Sequence, residues 1–345
     1  MNLDRTLFDY SKEFIFQGAK KQMINLGILG CSEIAFRRFM PAIKNIDGFF
    51  VKIVGEQYDN SKLETFCKTY NIEGTEDFTD IIKDSDIDAI YIPQPPALHF
   101  KWAKMALEYN KHVLIEKPST TNYKDSQELV DLAQVKELAL HENYMFQYHS
   151  QIKEIKKIIN NGDIGDIRLI RANFSFPRRA VNDFRYNPEL GGGALLDAGG
   201  YTAKLASVFL GKSIKVDAAA INSIDGFDVD MYGAATFSND AGQVCQVGFG
   251  MDNCYQCNLE IMGSLAKLST NRIFTAPPDF SPVITIEDNN GQREIVLESD
   301  SHFEHSITAF RHEINDKNAR NNMYDEIILQ SKLIDEIKSK CKIRG

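Results

Sequence analysis

The chain has 345 residues, 43% of them hydrophobic and 25% charged, and its 39 Lys and Arg against 48 Asp and Glu give a formal charge of −9. That length suits two domains with substantial cores, and the negative balance repels a phosphate backbone, which argues against a general nucleic-acid binder. The apolar runs fall far short of the roughly 18 residues of a membrane span, so no membrane role is expected.

Residues 1–22 carry Asp4, Asp9 and Glu13 and lack the apolar core of a secretory signal. They read as an N-terminal extension, an arm or helix with Leu3, Leu7, Phe8, Phe14, Ile15 and Phe16 to pack, and equally as a loose terminus. From 23 to 146, strands expected at 24–29, 50–56, 87–92, 112–115 and 137–141 alternate with helices at 33–46, 61–70, 99–109 and 123–134. That is the order of a doubly wound α/β domain. The first strand runs into Gly30-Cys31-Ser32-Glu33-Ile34-Ala35, a glycine turn that opens a helix. Such a turn lets the backbone approach a pyrophosphate, whose charge the helix N-terminus favours. Of the three fingerprint glycines only Gly30 is kept; Ala35 still allows close helix–strand packing, whereas the Cβ of Ser32 restricts the backbone.

A carboxylate ending the second strand accepts the adenosine ribose hydroxyls, and an arginine there accommodates a 2′-phosphate. Glu56-Gln57-Tyr58 stands at this place. NAD follows if Glu56 reaches the ribose; on these residues NAD and NADP both stay open. The next strand ends at Ile92-Pro93 and meets the rigid loop Gln94-Pro95-Pro96, after which His99 either lines a cofactor cleft or caps the following helix. The strand at 112–115 leads into Glu116-Lys117-Pro118. Lys117 thus lies just past the carboxyl edge of a parallel sheet, where open α/β sheets bind ligands, and Pro118 fixes the turn.

From 147 to 345 the pattern changes. A helix at 151–161 precedes eight strands between 167 and 297, read as a large, open, mainly antiparallel sheet, and helices at 302–314 and 324–340 close the chain. Arg178, Arg179 and Arg185 share a long loop that either grips a diphosphate or is solvated charge. The loop ends in Gly191-Gly192-Gly193-Ala194-Leu195-Leu196-Asp197-Ala198-Gly199-Gly200-Tyr201. Cys254-Tyr255-Gln256-Cys257 has metal-ligand spacing, but no second pair completes four ligands. The six cysteines read as structural thiols of a reducing cytoplasm, with no metal expected.

These motifs, in this order, resemble the large oxidoreductase family named after glucose–fructose oxidoreductase and inositol dehydrogenase, over nearly the whole chain after residue 23. Within it the chain is most similar to the nucleotide-sugar 3-ketoreductases, through Arg37-Arg38, Pro41-Ala42, the stretch from Glu142 to Phe146, and His149-Ser150-Gln151. The resemblance implies a Rossmann domain that binds NAD or NADP through Gly30, Cys31, Ser32, Glu33 and Ile34. Glu56, Gln57, Pro93, Pro95, His99 and Glu116 would complete that site. It places Lys117 beside both nicotinamide and reacting carbon. Tyr201 stands where most members have a histidine, as proton donor, and Tyr148 and His149 cover the substrate pocket. A phenol with pKa about 10 is protonated at neutral pH, and a neighbouring ammonium would lower that value. Asp197 would bind a substrate hydroxyl or hold Lys117 charged. For Tyr201 the competing reading is a core aromatic behind a glycine turn. The expected reaction is reduction of the C3 keto group of a dTDP-type, nucleotide-linked deoxysugar, with Tyr201 as acid and Lys117 as electrostatic assistant. Dehydrogenation of a free aldose, cyclitol or dihydrodiol is the alternative, followed by a non-enzymatic nucleotide sensor. A homodimer or homotetramer is expected, because a bare apolar sheet face would aggregate.

Overall fold

The computed structural model describes residues 23–341; the expected arm at 1–22 lies outside the described residues. The first sheet is six-stranded and wholly parallel. Its strands are β1 (Ile24–Leu29), β2 (Phe49–Gly55), β3 (Glu73–Thr75), β4 (Ala89–Ile92), β5 (His112–Glu116) and β6 (Leu140–Asn143), in the order β3-β2-β1-β4-β5-β6. The crossover helices are α1 (Met40–Ile43), α2 (Asn60–Tyr70), α3 (Phe78–Lys83), α4 (Pro96–Glu108) and α5 (Tyr123–Lys136). Strand alternation divides the apolar residues between two faces. Leu26 and Ile28 pack with Phe39 and Ile43 on one side, and Leu29, Ile90 and Ile92 pack with Phe78, Trp102 and Leu129 on the other.

The doubly wound order agrees with the sequence, with two local departures. β3 and α3 went unpredicted because three and six residues are too short to show a period. The last strand starts three residues late because Glu137 takes a left-handed conformation (φ 55°) that ends α5.

α6 (Ser150–Asn160) leads into an eight-stranded sheet made of β7 (Ile167–Ser175), β8 (Lys215–Asn222), β9 (Tyr232–Ser238), β10 (Val244–Gly250), β11 (Gln256–Gly263), β12 (Lys267–Asn271), β13 (Val283–Asp288) and β14 (Gly291–Val296). The order is β14-β13-β12-β11-β7-β10-β9-β8, and only β7 and β10 run parallel. α7 (Gly200–Leu210) lies on the inner face against β7 and β10. The opposite face is not the bare apolar surface expected. It carries Arg171, Asn173, Gln246, Asn258 and Glu260, joined across strands by Asn173–Asn258 (3.1 Å) and Arg171–Glu260 (3.7 Å). Period-2 alternation puts polar residues there while Ile170, Ala172, Leu259 and Ile261 fill the core.

Two further helices, α8 (His302–Asn315) and α9 (Lys317–Lys340), return to the first sheet. α9 packs on α5, β6 and β8, so its side chains enter both cores: Met323, Tyr324 and Ile327 in one, Leu333, Ile334 and Ile337 in the other. The first sheet ends with β6 at Asn143 and the second begins with β7 at Ile167, whereas α9 joins both cores.

Candidate active site

The glycine turn after β1 is built as a cradle. Gly30 sits at φ +123°, and a Cβ there would overlap the Gln94 side chain, whose amide donates to the Leu29 carbonyl at 2.7 Å. Ser32 Oγ accepts from the Ala35 amide (3.2 Å), and the first helical turn, Ala35–Phe39, has π geometry before it tightens into α1. The first-turn amides of Glu33 and Ile34 have no intrahelical acceptor, which suits an anionic pyrophosphate. The Glu33 side chain itself is exposed and pairs with Arg37 (2.5 Å). The Glu56 carboxylate closes the turn, accepting from the amides of Cys31 and Tyr58, each at 3.0 Å.

Two of the expected cofactor residues, His99 and Glu116, are hydrogen-bonded inside the fold. His99 is fully buried, and its ring nitrogens face the carbonyls of Pro118 (2.8 Å) and Gln94 (2.6 Å). Burial pushes the imidazole down to about 4. It is therefore neutral at neutral pH and ties together the loops after β4 and β5 rather than lining a cleft. Pro95 caps the start of α4, between Pro93 at the end of β4 and that histidine. Glu116 turns inward, accepting from Tyr91 Oη (2.8 Å) and Asn143 Nδ2 (2.7 Å), and burial raises its pKa.

Lys117 follows β5 through a cis Lys117–Pro118 peptide, and the turn is fastened by Glu142, which accepts from the Ser119 amide at 2.7 Å. Its ammonium donates to Asp197 Oδ1 (2.6 Å) and to the Asp197 carbonyl (3.1 Å), and it stands 4.6 Å from the centre of the Tyr201 ring. An ammonium has three donors, so one is left for a substrate oxygen. Arg185 holds the other side of Asp197 (Nε to Oδ2, 2.7 Å) and reaches Asp183 (3.1 Å). Burial alone would raise the Asp197 carboxyl, but the Arg185 guanidinium and the Lys117 ammonium outweigh it and hold the group well below the usual carboxylate range. Between its two readings, the structure gives Asp197 the second: it holds Lys117.

Tyr201 lies among Tyr144, Phe146, Phe174 and Phe274, with ring centroids 5.1–5.9 Å away. Its hydroxyl turns to the Met145 thioether at 3.5 Å, a weak acceptor, so a strong donor stands uncommitted. The expected lowering of its pKa is not found. Burial first, then the nearby carboxylates of Glu116 and Asp197, raise it well above 10. The phenol keeps its proton across the neutral range, as an acid must.

The expected substrate residues scatter. His149 is buried at the start of α6, where Nδ1 accepts from the Gln151 amide (3.1 Å), and Tyr148 stacks on His141 (5.7 Å). Both are thus packed into the fold at the start of α6, and His149 Nε2 is buried without a hydrogen-bond partner among the described residues. Arg178 is a bidentate partner of Asp252 (2.8 and 2.8 Å), and Arg185 is spent on Asp197 and Asp183. Arg179 lies over the Phe176 ring at 4.9 Å and has no carboxylate partner among the described residues. Sequence reasoning missed Asp183, Gln94 as a bridge, and Asp230, which accepts from the Leu195 amide at 2.7 Å. None of the three lies in a motif of its own. Among the described residues no cluster of His, Cys, Asp or Glu could hold a metal, the cysteines are free, and no helix is long and apolar enough to cross a membrane.

A dinucleotide cradle at the carboxyl edge of a parallel sheet, with a lysine and an uncommitted phenol beside it, defines a nicotinamide-dependent oxidoreductase. Residues 24–144 match the model of the oxidoreductase family with an NAD-binding Rossmann fold, GFO_IDH_MocA, and residues 152–269 match the GFO/IDH/MocA C-terminal domain. The chain belongs to this family and is an NAD(P)-dependent enzyme. It is 33% identical over 322 residues to a dTDP-3,4-didehydro-2,6-dideoxy-alpha-D-glucose 3-reductase of Actinomadura kijaniata, covering 93% of this chain and 96% of that one. The enzyme of the same name from Saccharopolyspora spinosa is 35% identical over 294 residues, 85% and 88% of the two chains. The structure of KijD10, a 3-ketoreductase from A. kijaniata in complex with NADP and TDP-benzene, superposes with a TM-score of 0.90 over 93% of this chain and 98% of that one, at 32% identity.

Proposed function

We propose that the protein reduces the C3 keto group of a dTDP-linked deoxysugar with a reduced nicotinamide cofactor. The observation that carries the reading is a trio: Lys117 with one free N–H, Asp197 holding it, and Tyr201, whose ring centre lies 4.6 Å from that ammonium and whose hydroxyl meets only the weakly accepting Met145 thioether. Bound cofactor supplies a hydride to the carbonyl carbon. Lys117 stabilises the charge that develops on the carbonyl oxygen, and Tyr201 donates the proton that neutralises it. Asp197 and Arg185 keep the ammonium in place through the reaction. KijD10 was also solved with a lysine and a tyrosine separately substituted, and those two positions have the same separation in sequence as Lys117 and Tyr201, which supports both assignments.

Tyr201→Phe removes only the hydroxyl. Turnover of a dTDP-3-ketosugar is expected to fall by roughly 10²–10⁴-fold with cofactor affinity unchanged. Near-native turnover would overturn the assignment, and efficient oxidation of free aldoses or cyclitols by the unaltered protein would overturn the substrate class. Arg179 is the loop arginine whose charge remains unspent, and it meets the diphosphate. Arg179→Ala should raise the KM for the nucleotide sugar about tenfold and leave kcat alone. We infer that the open face of the second sheet joins copies into a dimer or tetramer, through the partly exposed Arg171, Asn173, Gln246, Asn258 and Glu260. Sedimentation as a monomer at micromolar concentration would refute this.

A further inference from the structure

We propose that this chain takes NADH in preference to NADPH and that Glu56 sets the choice. The proposal rests on the dinucleotide fold alone and stands or falls independently of the sugar. β2 ends at Gly55, and the residue past the carboxyl end of the second strand of such a fold lies beside the adenosine ribose. Glu56 occupies that place and is 8% exposed. Its carboxylate is fixed, Oε2 by the Cys31 amide and Oε1 by the Tyr58 amide, each at 3.0 Å. The charge therefore stands between the phosphate cradle and the β2–α2 loop and cannot swing aside without giving up both bonds. Each oxygen keeps a lone pair for a ribose hydroxyl, which is a donor. A 2′-phosphate would bring only acceptors and more negative charge.

Among the described residues, the β2–α2 loop offers that phosphate no unpaired cation. Residues 56–60 read Glu-Gln-Tyr-Asp-Asn, with no arginine or lysine. The first lysine beyond them, Lys62, leans on Asp59 at 3.5 Å, and on the facing helix Arg37 is held by Glu33 at 2.5 Å. The neighbouring Cys31 thiol is pushed up to about 12, by burial first and then by the Glu56 charge. KijD10, the similar ketoreductase, was solved with NADP, so this chain would part from it in cofactor while sharing its fold.

The test is a titration of the purified protein, without sugar, with NADH and with NADPH, followed by the fluorescence of the bound nicotinamide. NADH should bind at least about tenfold more tightly, and the gap should shrink as salt screens the carboxylate. Glu56→Gln should narrow the gap, and Gln57→Arg, which leaves the Glu56 hydrogen bonds intact, should raise NADPH affinity several-fold. Equal or tighter binding of NADPH by the unaltered protein overturns the proposal. An NADH preference that survives in a folded Glu56→Gln protein overturns the role of Glu56.

Discussion

The molecule uses one backbone device twice. Gly30 (φ +123°) and Gly193 (φ +117°) each reverse the chain, and each turn passes through a π-helical stretch, Ala35–Phe39 and Leu195–Gly199, into a regular helix. Around the first, the amides of Glu33 and Ile34 are left without an intrahelical acceptor, and the turn suits an anion. Around the second, Asp230 has already satisfied the equivalent groups: its carbonyl accepts from Ala194 (2.8 Å) and its carboxylate from Leu195 (2.7 Å). That turn aims Asp197 at Lys117. Both turns hold an internal carboxylate, and they differ in where it binds: Glu56 takes the Cys31 amide ahead of the first helix, Asp230 the Leu195 amide in the first helical turn of the second.

Acid should separate the two turns most widely. His99, His112 and His302 are held neutral by burial, with values of about 4, about 4 and about 3. In the unfolded chain they titrate near 6.5, so as pH falls from there to about 4 the unfolded state takes up protons that the fold refuses. Each then removes up to about 3 kcal/mol of stability. Asp197 behaves oppositely: its folded pKa is depressed, so its contribution persists until pH falls below the ordinary carboxylate range. Denaturant unfolding at pH 7, 6 and 5 should show a steep loss, and hydrogen exchange should open the His99-tied loops before the Asp197 cluster.

Arg185→Ala comes next. It strips Asp197 of one of two cationic partners and should cost about 3 kcal/mol in thermal unfolding, while NAD(P)H binding, which depends on the first turn, is unchanged. Gly30→Ala should do the reverse. A side chain at that φ costs about 1–3 kcal/mol, so cofactor affinity should drop roughly 10–100-fold, read by fluorescence titration. The smallest effect belongs to Asp230→Ala, about 1 kcal/mol from the lost amide partner, with a lower kcat at unchanged cofactor affinity. If Asp230→Ala weakened cofactor binding as much as Gly30→Ala, the contrast between the turns would be broken.

The strand order of the first sheet was legible because buried parallel strands are continuous apolar runs between glycine and proline punctuation, as from Ala89 to Pro93. Lys117 and Tyr201 could be singled out for a similarly local reason, since each belongs to a short motif, Glu116-Lys117-Pro118 and the glycine-rich run that ends at Tyr201. What escaped were pairings across distance. Arg185 looked like a free diphosphate ligand because Asp197 is twelve positions away and meets it only once the loop folds back. The rise in Tyr201's pKa comes first from burial, among rings drawn from three separate stretches (Tyr144 with Phe146, Phe174, and Phe274), which no window of sequence contains. The outer face of the second sheet was misjudged because strand count shows that a face exists and not which alternate residues line it.

The last helix has a consequence for how the chain comes into being. Tyr324 Oη donates to the Leu138 carbonyl, and Gln330 donates to the Gly200 carbonyl (2.8 Å) and to Tyr144 Oη (3.1 Å). The nucleotide-binding half, although encoded first, lacks part of its core until residues near 327 have left the ribosome. Its nascent form leaves the Leu129–Leu140 surface without that cover from the time it emerges until α9 follows. Long-range closure of this kind slows folding and prolongs the aggregation-prone interval. A chain stopped before α9 should therefore engage chaperones rather than accumulate as a working dinucleotide-binding fragment.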